Sequence, residues 1–256
     1  MITEWRTPVQ YYMDLESDFI IVNQLIGKKI RLEYSGYKCL NCSNKIPIFR
    51  QGFCKKCFFE APQTASWITK PELSKAHRGV EDRDLEYEKQ VQLQPHIVYL
   101  ANSGGIKVGV TRKQQIPTRW IDQGATLAKP ILETPNRYLA GVVEVTLKQR
   151  FSDKTNWRKM LTENEVEISL ESQEKEAKKL INRDFVPYFL EGSESVKINY
   201  PVEKLPVIAT PLNFEKKPTF EGILRGIKGQ YWIFEDDTVC NIRNNEGKIV
   251  NMELLR

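Results

Sequence analysis

Cys39, Cys42, Cys54 and Cys57 form a CxxC-x11-CxxC pattern, the spacing at which thiols act as ligands. Two sulfurs separated by two residues grip one ion from a tight knuckle, and a second knuckle completes four-sulfur tetrahedral coordination. The pattern therefore predicts one structural zinc held by all four cysteines. Such a site has no open coordination position, so catalysis would fall to other residues. Two disulfides or four unrelated buried thiols are the competing readings; a redox CxxC usually stands singly, at the start of a helix. Basic residues flank the knuckles at Lys38, Lys55 and Lys56, and Asn44, Lys45, Ile46 and Pro47 read as a hairpin tip. The fifth cysteine, Cys240, sits in a strand-like run and reads as a buried free thiol.

The second stretch with chemistry is the middle of the chain. Residues 96–160 carry eleven Lys and Arg against four Asp and Glu, whereas residues 161–191 carry four against eight. A basic segment followed by an acidic one suggests a phosphate-facing surface, although a charge run is also the ordinary dress of a solvated face. Lys107, Arg112 and Arg119 are the candidate phosphate contacts, and their convergence on one spot would imply an anionic partner. Tyr99 reads either as a reactive hydroxyl or as a core aromatic, and His96 as a proton carrier or a capping and packing residue. Arg119 has its own alternatives, stacking on Trp120 or pairing with Asp122.

The elements that must position these residues are mostly β. Ile97-Val98-Tyr99-Leu100-Ala101, a turn at residues 102–105 and Ile106-Lys107-Val108-Gly109-Val110 predict a hairpin. A short helix follows over 116–124, opened by Pro117 and closed by Gly124, and residues 138–147 read as a third strand. Helices are expected around Trp157 and from Thr162, the second with Glu165 in a capping box and Leu170, Ala177 and Ile181 on its apolar face. Residues 61–94, poor in aliphatics and rich in charge, read as a surface connector, and 192–219, with four prolines, as a linker. Strands near 222–227, 230–234 and 239–243 are followed by a turn at 244–247 and a last strand. With the strand at 29–34 they are expected to build a small mixed barrel.

The strand, strand, helix order from residue 96 resembles the opening of the GIY-YIG nuclease fold. More broadly, the chain resembles an uncharacterised bacterial family in which a four-cysteine module precedes segments like Pro95-His96-Ile97-Val98-Tyr99 and Lys107-Val108-Gly109-Val110-Thr111-Arg112. That second resemblance covers nearly the whole chain; the nuclease one covers about 96–190. GIY-YIG enzymes use two strand tyrosines, a helix arginine and a later glutamate. The resemblance implies Tyr99 for the first tyrosine, Gly109 for the glycine and Arg119 for the arginine, while Lys107 stands where the second tyrosine would be. A strand lysine of ordinary basicity anchors a phosphate before it acts as a base. For the glutamate, Glu165 and Glu167 fit the family's order better than Glu144, which falls in the expected third strand. The family often has further cysteines near His77; Ser74 and Val80 stand there in this chain, so no second metal site is carried over.

The resulting expectation is an α+β protein. Residues 1–35 lead into a zinc-ribbon or treble-clef-like module at 36–60, the connector at 61–94, a GIY-YIG-like β-β-α-β core at 95–191, the linker at 192–219 and a β segment at 220–256. It would be a zinc-containing cytoplasmic protein that binds nucleic acid, RNA or DNA, through a nuclease-like core. The alternatives are an endonuclease with catalytic Tyr99 and Arg119 and a Mg or Mn ion, and a scaffold that docks a protein partner. The start, Met1 to Arg6, lacks a basic leader and apolar run, and no stretch is apolar enough for a bilayer span.

Overall fold

Three short strands begin the chain: β1 (Ile2–Glu4), β2 (Gln10–Leu15) and β3 (Asp18–Ile21), antiparallel in that order. The Asn23 side chain ties them down, accepting from the Tyr11 N–H at 2.8 Å and donating to the Val9 carbonyl at 2.9 Å. Next comes β4 (Lys29–Tyr37), whose alternation is plain in its burial: Ile30 and Leu32 are buried while Lys29, Arg31 and Glu33 are exposed. It runs into the cysteine segment, which ends in helix α1 (Lys55–Glu60). The structure is a computed structural model and describes residues 1–15, 18–163 and 168–255.

The chain then enters a second unit, Pro62–Ile198. Residues 62–92 do not run loose over the surface; they coil into short helical turns, with α2 (Ser66–Thr69) and α3 (Leu85–Gln92) the α-helical pieces. Trp67 is their buried anchor, and Asp84 caps α3 by accepting from the Tyr87 N–H at 3.0 Å. Glu88 is fully buried and accepts from the backbone N–H groups of Asp82, Arg83 and Asp84. A carboxylate held by three amides explains how a charge-rich segment can still pack.

The expected hairpin is present as β5 (His96–Asn102) and β6 (Ile106–Arg112), followed by helix α4 (Thr118–Asp122). The third strand is β7 (Leu127–Thr134), and residues expected to be that strand form helix α5 (Arg137–Leu147) instead. The correction has a physical cause. Val142, Val143, Val145 and Thr146 favour strand by local preference, but Asn136 caps a helix by accepting from the Leu139 N–H at 3.0 Å. Ala140, Val143, Glu144 and Leu147 then share one buried stripe at helical spacing. In β7 the signal is masked by Pro130, which cannot donate to the ladder and sits where the pairing with β5 shifts register beside Tyr99.

Helices α6 (Trp157–Thr162) and α7 (Leu170–Leu180) complete this unit with β8 (Val196–Lys197), giving an antiparallel sheet of order β6-β5-β7-β8. Side chains of α5 and α7, among them Val143, Leu147, Leu170 and Ala177, form one core with Val98, Leu100, Val108 and Ile131 of the sheet. Ser169 caps α7; the expected capping-box residue Glu165, together with Val166 and Glu167, lies outside the described residues. Lys129 pins α7 to β7 by an ion pair to Glu174 at 3.4 Å and a hydrogen bond to the Ser193 carbonyl.

The first unit, Met1–Ala61 with Asn199–Arg256, then resumes with β9 (Thr210–Pro211), β10 (Thr219–Lys228), β11 (Tyr231–Phe234), β12 (Thr238–Asn241) and β13 (Lys248–Leu255). Strand β4 lies between β13 and β10 in a six-stranded sheet of order β13-β4-β10-β11-β12-β9. The strand before the cysteines thus joins the C-terminal strands, but the sheet stays open and no barrel closes among the described residues. Closure needs full-length terminal strands that pair, whereas β9 has two residues, one of them a proline. Phe220 and Phe234 pack edge to face at 4.7 Å inside this sheet, with Trp232 and Ile233 also buried. Cys240 is buried, and its thiol is pushed up to about 12 by that burial. Among the described residues no helix is long and apolar enough to cross a membrane.

Candidate functional site

The cysteine cluster is built by two turns. Cys39 opens the first: its carbonyl accepts from the Ser43 N–H at 2.9 Å, and Ser43 takes a left-handed conformation at φ 58° so that the chain doubles back. The second uses Gln51 at φ 52° and Gly52 at φ 78°, with the Phe53 N–H donating to the Arg50 carbonyl at 2.9 Å. Cys54 stands at the residue before α1 and Cys57 lies in its first turn, so the second pair stands at a helix start. All four Sγ atoms lie within 4.8 Å of one another. Tetrahedral coordination with metal–sulfur bonds of about 2.3 Å places sulfurs about 3.8 Å apart. Cys42 and Cys54 are already at 4.0 Å.

The surroundings fit a thiolate-bound ion. The Cys54 N–H points at Cys39 Sγ at 3.3 Å, and Asn41 Nδ2 donates to Cys57 Sγ at 3.4 Å. Burial opposes ionisation of Cys39, yet the backbone N–H groups of Cys42, Cys54 and Asn41 draw its thiol down to about 6. All five cysteines of the chain are free, so the disulfide reading is not realised. Four converging sulfurs can hold one metal ion, and they leave no position for a substrate.

The second site lies within Pro62–Ile198. Tyr99 on β5 is fully buried, edge-on to Trp120 of α4 at 5.9 Å, and donates its O–H to Gln123 Oε1 at 2.8 Å. Burial pushes its pKa up to about 12, with Arg119 opposing by charge and hydrogen bonding. Lys107 is buried on the neighbouring strand, where Ser152 bridges to it and Thr155 Oγ1 accepts from its Nζ at 2.9 Å. No carboxylate reaches ion-pair distance of that amine among the described residues. Burial and the Arg119 charge pull Lys107 down to about 7, while Glu144 and Asp153 oppose them. The ordinary strand lysine expected from sequence is therefore a buried amine whose basicity burial lowers.

Glu144 supplies the carboxylate of this cluster. It is buried on α5, with Lys148 Nζ 3.3 Å from its Oε2; the same Nζ is 3.3 Å from Asp153. Beyond that ion pair, Oε2 has no further hydrogen-bond partner among the described residues. Burial raises the Glu144 pKa, and the Glu72 charge adds to that, against Lys148 and Arg137. Its charge is felt at both Tyr99 and Lys107. Arg137, at the start of α5, donates to the carbonyls of Trp67 at 3.1 Å and Ile68 at 2.6 Å, and burial lowers it to about 10.

Residues 27–250 match a family described as "Protein of unknown function (DUF2797)". The chain belongs to that family. No curated protein and no solved structure matched. The DUF2797 span takes in both the four cysteines and the polar cluster, whereas β1 to β3 precede it.

Of the phosphate candidates in this DUF2797 chain, Lys107 and Arg119 share one electrostatic neighbourhood. Arg112 pairs in register with His96, and its charge is felt at His96, Tyr87 and Arg137. Arg112 and Arg119 are half-buried, and among the described residues neither has a carboxylate within ion-pair distance. Among the described residues Arg119 does not sit over the Trp120 ring, and its charge and hydrogen bonding act on Tyr99. His96 is buried; its Nδ1 lies 2.7 Å from the Gln94 carbonyl, and burial lowers it to about 4, which makes it a neutral packing residue. His77 stacks on Tyr138 at 4.5 Å. Glu165 and Glu167 lie outside the described residues. Gln123, Thr155, Arg137 and Glu72 were not legible as site residues: only the fold brings them to the cluster.

Proposed function

We propose that the chain is a zinc-containing nucleic-acid-binding protein whose segment from residue 95 is a GIY-YIG-like core. The observation that carries the reading is Arg112 and Arg119, two half-buried guanidiniums without carboxylate partners among the described residues, with the buried Lys107 in the electrostatic neighbourhood of Arg119. Unneutralised cations held partly out of water favour an anion, and guanidinium suits phosphate. The order β5, β6, α4, β7, α5 supports the core assignment, and a CxxC pair at the start of α1 supports a treble-clef-like zinc module. Binding of RNA and DNA, single and double stranded, measured across salt concentrations, tests it. Arg112→Ala and Arg119→Ala should each weaken binding and lower the salt slope by about 1. Absence of binding to all four at low salt overturns the reading.

Glu144 favours a second reading, divalent-metal phosphodiester cleavage. It follows the third strand on a helix, the order in which GIY-YIG enzymes carry their glutamate, and its buried carboxylate, ion-paired to Lys148, is an oxygen donor of the kind Mg or Mn takes. Bound there, the ion would stabilise charge developing on the phosphate. Arg119 would steady that phosphate, Lys107 in its neutral form would accept the proton of the attacking water, and Tyr99 would fix the strand geometry around them. Cleavage of a labelled oligonucleotide with Mg, and its loss in Arg119→Ala and Glu144→Gln, tests this reading. Cleavage undiminished in both variants assigns the activity elsewhere.

A further inference from the structure

The cysteine module carries an uncovered aromatic cluster. Phe49 is 43% and Phe59 58% exposed, and with the half-buried Phe58 they form a three-ring group with centroids 5.2, 5.7 and 5.4 Å apart. The rings are held by the knuckle itself: the Phe49 N–H donates to the Phe53 carbonyl, and the Phe58 N–H to the Cys54 carbonyl, each at 2.8 Å. Arg50 sits over the Phe49 ring at 5.4 Å. Lys55 and Lys56 open the helix that carries Phe58 and Phe59. Arg50, Lys55 and Lys56 are exposed, and none has a carboxylate within ion-pair distance among the described residues. Glu60 is the only acid between residues 38 and 61.

We propose that Phe49, Phe58 and Phe59 form a stacking platform for single-stranded nucleic acid, with Arg50, Lys55 and Lys56 meeting its phosphates. The inference rests on the nucleic-acid reading above and adds where a strand is gripped. Exposed aromatics interleaved with cations that lack carboxylate partners match a polymer that alternates flat bases with anionic phosphates, and every base has a face to stack. A lipid surface is less well matched. Helix α1 has six residues, and its lysines stand next to its phenylalanines.

The test uses the full chain and fluorescent oligo(dT), oligo(U) and a duplex, with phosphatidylserine vesicles as a separate arm. Metal content and circular dichroism confirm that each variant folds. The double variant Phe49→Ala/Phe59→Ala should bind the single strands at least about tenfold more weakly, with an unchanged salt slope. Lys55→Gln/Lys56→Gln should lower that slope by about 1 to 2. Wild-type affinity in the double phenylalanine variant overturns the platform even when Arg112→Ala and Arg119→Ala still weaken binding, in which case the core reading survives. Vesicle binding that depends on Phe49 and Phe59, with oligonucleotide binding independent of them, also overturns it. No oligonucleotide binding by the wild type removes both proposals.

Discussion

A Cβ atom added to Gly109 would lie 2.6 Å from the hydroxyl oxygen of Tyr99, the residue opposite it in the β5–β6 ladder. The glycine thus clears the space into which the tyrosine ring folds. Gly109→Ala should displace Tyr99 from Gln123 and destabilise the protein by about 1–3 kcal/mol, read by urea unfolding. An unchanged unfolding midpoint would show that the ring can move aside freely.

Lys107 makes stability depend on pH in a definite direction. Its folded value of about 7 lies below the unfolded value near 10.4, so between the two the unfolded chain binds more protons and stability rises with pH. The penalty is full below about pH 7 and relieved above 10. Lys107→Met should be more stable than the wild type at pH 7, by on the order of 2–4 kcal/mol, with a flatter slope from pH 7 to 10. A variant less stable throughout would mean that the amine is held as a charged, paired group.

For the cysteines, the expected content is one zinc per chain in protein purified without chelator, measured by elemental analysis. Cys54→Ser should lose the metal and lower the melting temperature by more than about 5 °C, because ligand binding here is folding energy. Metal-free wild-type protein with the same melting behaviour would refute the assignment.

Glu88 accepts from three backbone N–H groups while fully buried. Glu88→Ala should destabilise the protein by about 2–4 kcal/mol by leaving those donors unpaired, again read by urea unfolding. A change below about 0.5 kcal/mol would mean that water replaces the carboxylate.

What could be read from the chain followed how local the determinant was. The CxxC pairs and the hairpin around residues 102–105 are set by neighbours in sequence, and both appear where expected. Helix α5 shows the opposite case: its β-branched residues spell a strand, and the cap at Asn136 together with packing against the sheet decides otherwise. Misplacing that element also misplaced Glu144, which only a helix sets in the same cluster as Lys107. Nor does any local pattern announce that Lys107 is buried, since Thr155 bonds it, and the Asp153 charge acts on it, from a loop nearly fifty residues away.

The pairing of β4 with both β10 and β13 also fixes an order of events during synthesis. Strand β4 ends at Tyr37, and its two neighbours span residues 219–255. At roughly 5–20 residues per second, a ribosome needs about 10–40 s to deliver them. Throughout that interval both edges of β4 wait unpaired, while Pro62–Ile198, being contiguous, emerges whole and is free to fold first. The nascent chain must therefore protect one strand with a single apolar face, Ile30 and Leu32, for the time it takes to build the entire middle of the protein.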